Sequence, residues 1–182
     1  MTLKKTVTLK DGRNCLLRNG VTSDGKAVLD VFNRTHEETD YLLTYSDENC
    51  FTASQEADFL QRKTDSTNTV EIIAIVDGVV AGTAGIDALG MRDKIKHRAV
   101  FGIAITKEFW GLGIGKSMVE ACIECAREAG YLQLELEVVA ENERAVEMYR
   151  RAGFIEYGRN PKAFRLRTGE YQELIDMRLE LK

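Results

Sequence analysis

The sequence predicts a mixed α/β domain whose sheet contains one parallel crossover near its centre. Three observations carry that reading. An apolar, partly β-branched run, Arg98 to Thr106, feeds a helical pattern through the glycine-rich turn Trp110-Gly111-Leu112-Gly113-Ile114-Gly115-Lys116. A further strand pattern, Leu132 to Val139, then returns beside the first, as a strand–helix–strand unit requires. Finally the chain closes with two consecutive strand patterns, Ile155 to Arg167 and Tyr171 to Leu181, around Thr168-Gly169-Glu170. A doubly wound nucleotide fold keeps alternating strand and helix instead.

The remaining elements follow in order. Cys15-Leu16-Leu17-Arg18 reads as a first strand, and helical patterns run from about Ser23 to Tyr45 and from about Ser54 to Lys63. Val70 to Val76 and Val79 to Gly85 form a hairpin about Asp77-Gly78, a dipeptide suited to a tight primed turn. Gly85 and Gly90 bound a loop. After the glycine turn, Ile114, Met118, Cys122, Cys125 and Ala129 recur at helical spacing, and Gly130 stops the run. Asn142 is suited to cap the next helix, whose stripe is Ala145, Val146, Tyr149 and Ala152, and Gly153 ends it. No repeat or linker interrupts residues 1–182, so one domain is expected.

The glycine turn leaves the first amides of its helix unpaired and uncovered by side chains, which together with the helix dipole suits a phosphate. An ATP-binding loop requires a first glycine where Trp110 stands, although Gly115-Lys116-Ser117 fits its end. A dinucleotide fingerprint requires a third glycine where Lys116 stands. Both miss by one position. Cys122 and Cys125 form a Cys-x-x-Cys, yet both fall mid-helix, away from a thiolate-stabilising helix start, and no second ligand pair exists. They read as packing residues, and no metal site is expected.

Two motifs resemble the GNAT family of N-acetyltransferases. Gly113-Ile114-Gly115 matches the family's pyrophosphate loop, Gln/Arg-x-x-Gly-x-Gly/Ala, with Trp110 in the Gln/Arg place. The run from Asn142 through Ala145 and Tyr149 to Gly153-Phe154 is similar to its signature Asn-x-x-Ala-x-x-x-Tyr-x-x-x-Gly-Phe. The resemblance covers roughly residues 70–180. It implies a mostly antiparallel, seven-stranded sheet, split between its fourth and fifth strands, with acetyl-coenzyme A in the cleft. It further implies that the amides of Leu112, Gly113, Ile114, Gly115 and Lys116 hold the pyrophosphate. The strand residues Ile103, Ala104 and Ile105 would pair with the pantetheine arm, and Asn142 would bind the cofactor as well as cap its helix. Lys116, Arg150 and Arg151 are candidate partners for the nucleotide phosphate. At Trp110 the departure from Gln/Arg removes a side-chain contact but leaves loop architecture as a role.

Acetyl transfer requires a neutral amine, which is mostly protonated near neutral pH, and a proton for the departing thiolate. The family's tyrosine, here Tyr149, is commonly the acid. For the base, Glu135 and Glu137 project to one side of their strand. The ribosomal-protein amino-terminal branch of the family has a Leu-Glu-Val strand end five residues before the Asn and twelve before the Tyr. Leu136-Glu137-Val138, Asn142 and Tyr149 reproduce both spacings, so Glu137 is favoured. His97 is the alternative on its ordinary pKa, Asp87 is weaker, and a water relay stays open.

The 44% hydrophobic and 30% charged content is that of a globular chain. A net charge of −4 gives no support for nucleic acid, and no apolar run reaches membrane-spanning length or forms a signal-peptide core. A cytoplasmic enzyme is the expectation, with a homodimer left open. The close Gly169-Glu170-Tyr171-Gln172-Glu173-Leu174-Ile175-Asp176-Met177 resembles the Gly-x-Tyr-x-Asp-x-x-x-Met end of bacterial small-molecule N-acetyltransferases, with Glu173 replacing the aspartate. It favours a small amine such as an amino acid, polyamine or antibiotic over a protein terminus. A non-catalytic acetyl-coenzyme A sensor and a nucleotide-binding module are the rivals from other classes.

Overall fold

The hairpin about Asp77-Gly78 sets the centre of the sheet. Its strands are β3 (Val70–Val76) and β4 (Val79–Ala88), and the turn residues take φ of 50° and 81°, the positive values a primed turn requires. β3 is apolar at almost every position because both its faces are covered. Ile73 packs with Val28 of α1 (Gly25–Glu38) and Leu60 of α2 (Ala53–Asp65). Ile72 and Ala74 belong to the larger core with Met118, Val119 and Cys122 of α3 (Ile114–Glu128). The first two helices therefore cover one face and α3 the other.

The computed structural model describes residues 1–181 and contains eight strands in the order β1-β2-β3-β4-β5-β6-β8-β7. Beyond the central pair these are β1 (Lys4–Thr8), β2 (Asn14–Asn19), β5 (Arg98–Ile105), β6 (Gln133–Val139), β7 (Ile155–Arg165) and β8 (Tyr171–Glu180). All neighbours are antiparallel except β5 and β6, the single crossover. The expected seven strands are thus corrected to eight. Lys4–Thr8 pairs with β2 at the edge, and its sequence, Lys-Lys-Thr-Val-Thr, is polar because an edge strand facing solvent needs no apolar face. The split accordingly lies between the fifth and sixth strands, not the fourth and fifth.

Two boundaries also differ. The first helix ends at Glu38 rather than near Tyr45, because Thr39 turns extended (φ −157°, ψ 149°) and its hydroxyl accepts from the Tyr41 amide. The expected loop from Gly85 is strand instead, since β4 runs through Gly85 to Ala88, paired with Gly102 to Ala99. By contrast α3 and α4 (Glu143–Arg151) end as anticipated. Gly130 and Gly153 take φ of 81° and 97°, and the amides of Tyr131 and Phe154 reach back to the carbonyls of Ala126 and Tyr149. No helix among the described residues is long and apolar enough to cross a membrane.

Leu134 of β6 is fully buried in the α3-side core, whereas Leu132, two residues earlier, is 57% exposed. Leu134→Ala is expected to lower unfolding free energy by about 2–5 kcal/mol, and Leu132→Ala by less than ~0.5 kcal/mol, in denaturant titrations. Equal effects would contradict the burial of Leu134 in that core.

Candidate active site

β5 and β6 pair only over Arg98–Val100 with Gln133–Glu135. Past Val100 and Glu135 each strand keeps its outer neighbour, β4 or β8, and leaves its inner edge open. The opening is a cleft of about 1230 Å³ that runs from the glycine turn to the segment after α1. Arg98 clamps the apex: its Nε and Nη2 donate to the two carboxylate oxygens of Glu135 at 2.5 and 2.7 Å. The Arg98 guanidinium holds the Glu135 carboxyl below the usual glutamate range against the opposing effect of burial.

At one end, Gly111 and Gly113 line the cleft with φ of 81° and 98°, left-handed values that glycine adopts without strain. The first backbone bond into α3 is from Ser117 to Gly113. Among the described residues, the six amides from Gly111 to Lys116 donate to no group of the protein. Trp110 braces the turn, its indole N–H donating to the Ile105 carbonyl at 2.6 Å while the Arg144 guanidinium lies 4.2 Å from its ring centre. It serves the loop's architecture. The β1–β2 hairpin adds a tie that the sequence did not suggest, since the Lys10 amide donates to the Leu112 carbonyl at 3.1 Å.

Of the residues singled out in the sequence, Ile103, Ala104, Ile105, Gly113, Ile114, Gly115, Lys116, Glu137, Asn142 and Tyr149 all line the cleft; Leu112 does not, though its amide belongs to the free run. Asn142 caps α4, its Oδ1 accepting from the Ala145 amide at 3.3 Å. Tyr149 is 6% exposed and lies against Phe101 and Phe154, ring centres 6.0 and 5.9 Å away. Burial pushes its hydroxyl well above the usual tyrosine range, so it keeps its proton. No group among the described residues hydrogen-bonds that hydroxyl.

The carboxylates separate clearly. Glu135 is neutralised by Arg98 and also accepts from the Tyr157 hydroxyl at 3.4 Å. Glu137, two residues on, is exposed in the cleft and makes no ion pair or hydrogen bond among the described residues. The alternative bases are placed elsewhere. His97 precedes β5 and does not line the cleft, while Asp87 is held by the buried Lys63 ammonium at 2.5 Å. Arg150 likewise points away, to Glu156 at 3.5 Å; Arg151 lines the cleft but is paired with Glu147 at 2.8 Å. Cys122 and Cys125 are buried in α3, and burial pushes both thiols up, Cys125 to about 11.

Sequence reasoning missed the wall opposite the glycine turn. Tyr41, Leu42 and Leu43 line the cleft because α1 stops early, and Leu89, Tyr157, Phe164 and Leu174 join them from three other elements. The segment is pinned to the β7–β8 turn: the Arg167 amide donates to the Tyr45 hydroxyl at 3.0 Å, and its guanidinium donates to Asp47 at 2.7 Å. No local signal set Tyr41-Leu42-Leu43 apart, because Leu42 continues the stripe Val28, Val31, Thr35 at helical spacing.

A helix N-terminus with free amides, opening onto a split parallel pair, invites comparison with known proteins. Residues 28–154 match the sequence pattern of the Acetyltransferase (GNAT) family. The chain belongs to that family. Its relatives include L-amino acid N-acetyltransferase AaaT of Escherichia coli K12, 30% identical over 118 residues, which span 64% of this chain and 72% of that protein. The crystal structure of a GNAT acetyltransferase from Streptococcus pneumoniae superposes with a TM-score of 0.87 at 27% identity, over 91% of this chain and 99% of that one. The fold is shared too by yncA, a putative acetyltransferase from Salmonella typhimurium solved with its cofactor acetyl-CoA (TM-score 0.82, 16% identity, 93% and 95% covered). This GNAT member is therefore an acyltransferase by family.

The Arg98–Glu135 clamp carries a pH prediction. A carboxyl whose folded pKa is depressed stabilises the fold fully above its unfolded value, and that stabilisation is lost as pH falls through the folded value. The fall in stability below pH 4.5, the ordinary glutamate value, should be shallower in Glu135→Gln than in the parent. Parallel stability–pH curves from chemical denaturation would show that the clamp adds nothing.

Proposed function

We propose that this protein transfers the acetyl group of acetyl-CoA to the primary amine of a small molecule by direct attack. The carrying observation is the run of six free amides from Gly111 to Lys116 leading into a 15-residue helix, in a turn that lines the same cleft as Tyr149 and Glu137. A cofactor with a pyrophosphate fits the residues present. Its pyrophosphate would take the amides, and its pantetheine arm would lie along the open edge of Ile103–Ile105, completing the sheet as a short strand does. Lys116, Arg144 and Lys10 stand at that end for the nucleotide phosphates.

Acetyl-CoA supplies an activated acyl group and a thiolate leaving group. Glu137 takes the proton of the incoming ammonium, directly or through one water, since no cation of the protein competes for it. Tyr149, kept protonated by its aromatic surroundings, donates its hydroxyl proton to the departing sulfur. An acetyl-CoA sensor would need neither group in the cleft, which supports catalysis over sensing.

Two experiments address the reading. Gly113 has positive φ, and a Cβ on Gly115 would meet the Met148 sulfur at 3.0 Å. Gly113→Val and Gly115→Val are expected to raise the KM for acetyl-CoA about tenfold or more, roughly 1.4 kcal/mol of lost binding. Normal cofactor affinity in a folded Gly113→Val protein would remove the loop from the site. Separately, Tyr149→Phe should lower kcat on the order of 10–1,000-fold with little change in cofactor affinity, and Glu137→Gln should flatten the acidic limb of the pH–rate profile. Wild-type pH–rate profiles in both variants would leave proton transfer to water.

A further inference from the structure

Charge is distributed unevenly along the cleft. Its four cationic lining residues, Lys10, Lys116, Arg144 and Arg151, all belong to the glycine-turn end: α3, α4 and the hairpin tie to Leu112. The other end is walled by Tyr41, Leu42, Leu43, Leu89, Val100, Phe164 and Leu174, and no lysine or arginine lines it. Nearby cations are engaged elsewhere. Arg98 is clamped on Glu135, and Arg178 stacks on Tyr157 and lies 3.3 Å from Glu180. Arg159 is shared by Glu156 and Glu173. Arg165 does not line the cleft; it lies 6.0 Å from the Tyr171 ring centre and borders a smaller adjoining hollow with Leu42, Leu43 and Phe164.

The charge left facing this end is negative. Glu137 lines the cleft unpaired; Asp176, directly opposite Glu137 in the β6–β8 register and so on the same face of the sheet, does not itself line the cleft and has no ion-pair partner among the described residues. Like charges opposed across an antiparallel pair destabilise the sheet unless a cation neutralises them. An ammonium supplies that neutralisation. A carboxylate beside the ammonium would instead enter an apolar wall next to two anions, where like-charge apposition is costly.

Resting on the acetyl-transfer reading above, we infer that the acceptor is a primary amine with an apolar body and no carboxylate beside its amino group, so free α-amino acids are excluded by the charge pattern of the cleft. The E. coli relative is named for L-amino acids, so on this inference acceptor choice differs within the family at this end of the cleft.

The test compares three acceptors with one side chain: L-leucine, L-leucinamide and isoamylamine, with thiol release followed at saturating acetyl-CoA. Isoamylamine and leucinamide should each exceed leucine in kcat/KM by about tenfold or more. Isoamylamine holds its proton more tightly than leucine, so its advantage cannot come from a more available neutral amine. Leu89 lines this end and is 38% exposed, so Leu89→Arg is compatible with folding and places a cation there. It should narrow the gap between leucine and leucinamide. Leucine equal to or better than isoamylamine in the parent protein would overturn the inference, as would an unchanged gap in folded Leu89→Arg. Thiol release from none of the three, with acetyl-CoA still bound, would instead overturn the acetyl-transfer reading and this inference with it.

Discussion

The structure depends on the early parting of β5 and β6. Three residue pairs hold these parallel strands together, and the Arg98–Glu135 clamp sits at their end. Had the pairing continued, the edges of Phe101–Ile105 and Leu136–Val139 would bond to each other, and no cleft would exist. Because it stops, two strands keep their outer neighbours and expose inner backbone groups that must find partners. The free amides of the glycine turn lie at the same opening. One geometrical feature thus supplies the space, a backbone edge and a run of unpaired amides.

The two glutamates of β6 show how a shared face does not mean a shared role. Period two puts Glu135 and Glu137 on the same side, and the sequence alone treats them as equivalent apart from motif spacing. Arg98 breaks the tie. A carboxylate in a bidentate clamp is a poor proton acceptor because protonation would forfeit the ion pair, whereas Glu137 has no partner to lose. The same logic removes Asp87, which neutralises the buried Lys63. Burial acts in the opposite sense on Tyr149, making its hydroxyl a proton holder.

Much of this was legible beforehand because it is local. Glycines with positive φ, the Asp77-Gly78 turn, the Asn142 cap and the Gly153 stop each declare themselves within a few residues. Apolar periodicity located β2 to β8 and α2 to α4, since burial on one or both faces writes itself into the chain. The errors fell where burial gives no pattern. β1 is a polar edge strand, and α1 ends on a threonine hydroxyl bond rather than on a glycine. Gly85 and Gly90 suggested a loop, yet Gly85 is a paired strand residue opposite Gly102.

The sequence by itself determined the glycine turn, its helix, the capped helix carrying Tyr149, and the strand carrying Glu137, all within a mixed α/β sheet. These follow from backbone preference and hydrophobic periodicity, which act over one or two turns of chain. Only the tertiary structure decided which carboxylate is free, where the sheet parts, and what lines the far end of the cleft. That end is assembled from the segment after α1, the end of β4, and strands β5 to β8. Its charge balance is a sum over residues far apart in the chain, and no local pattern encodes such a sum.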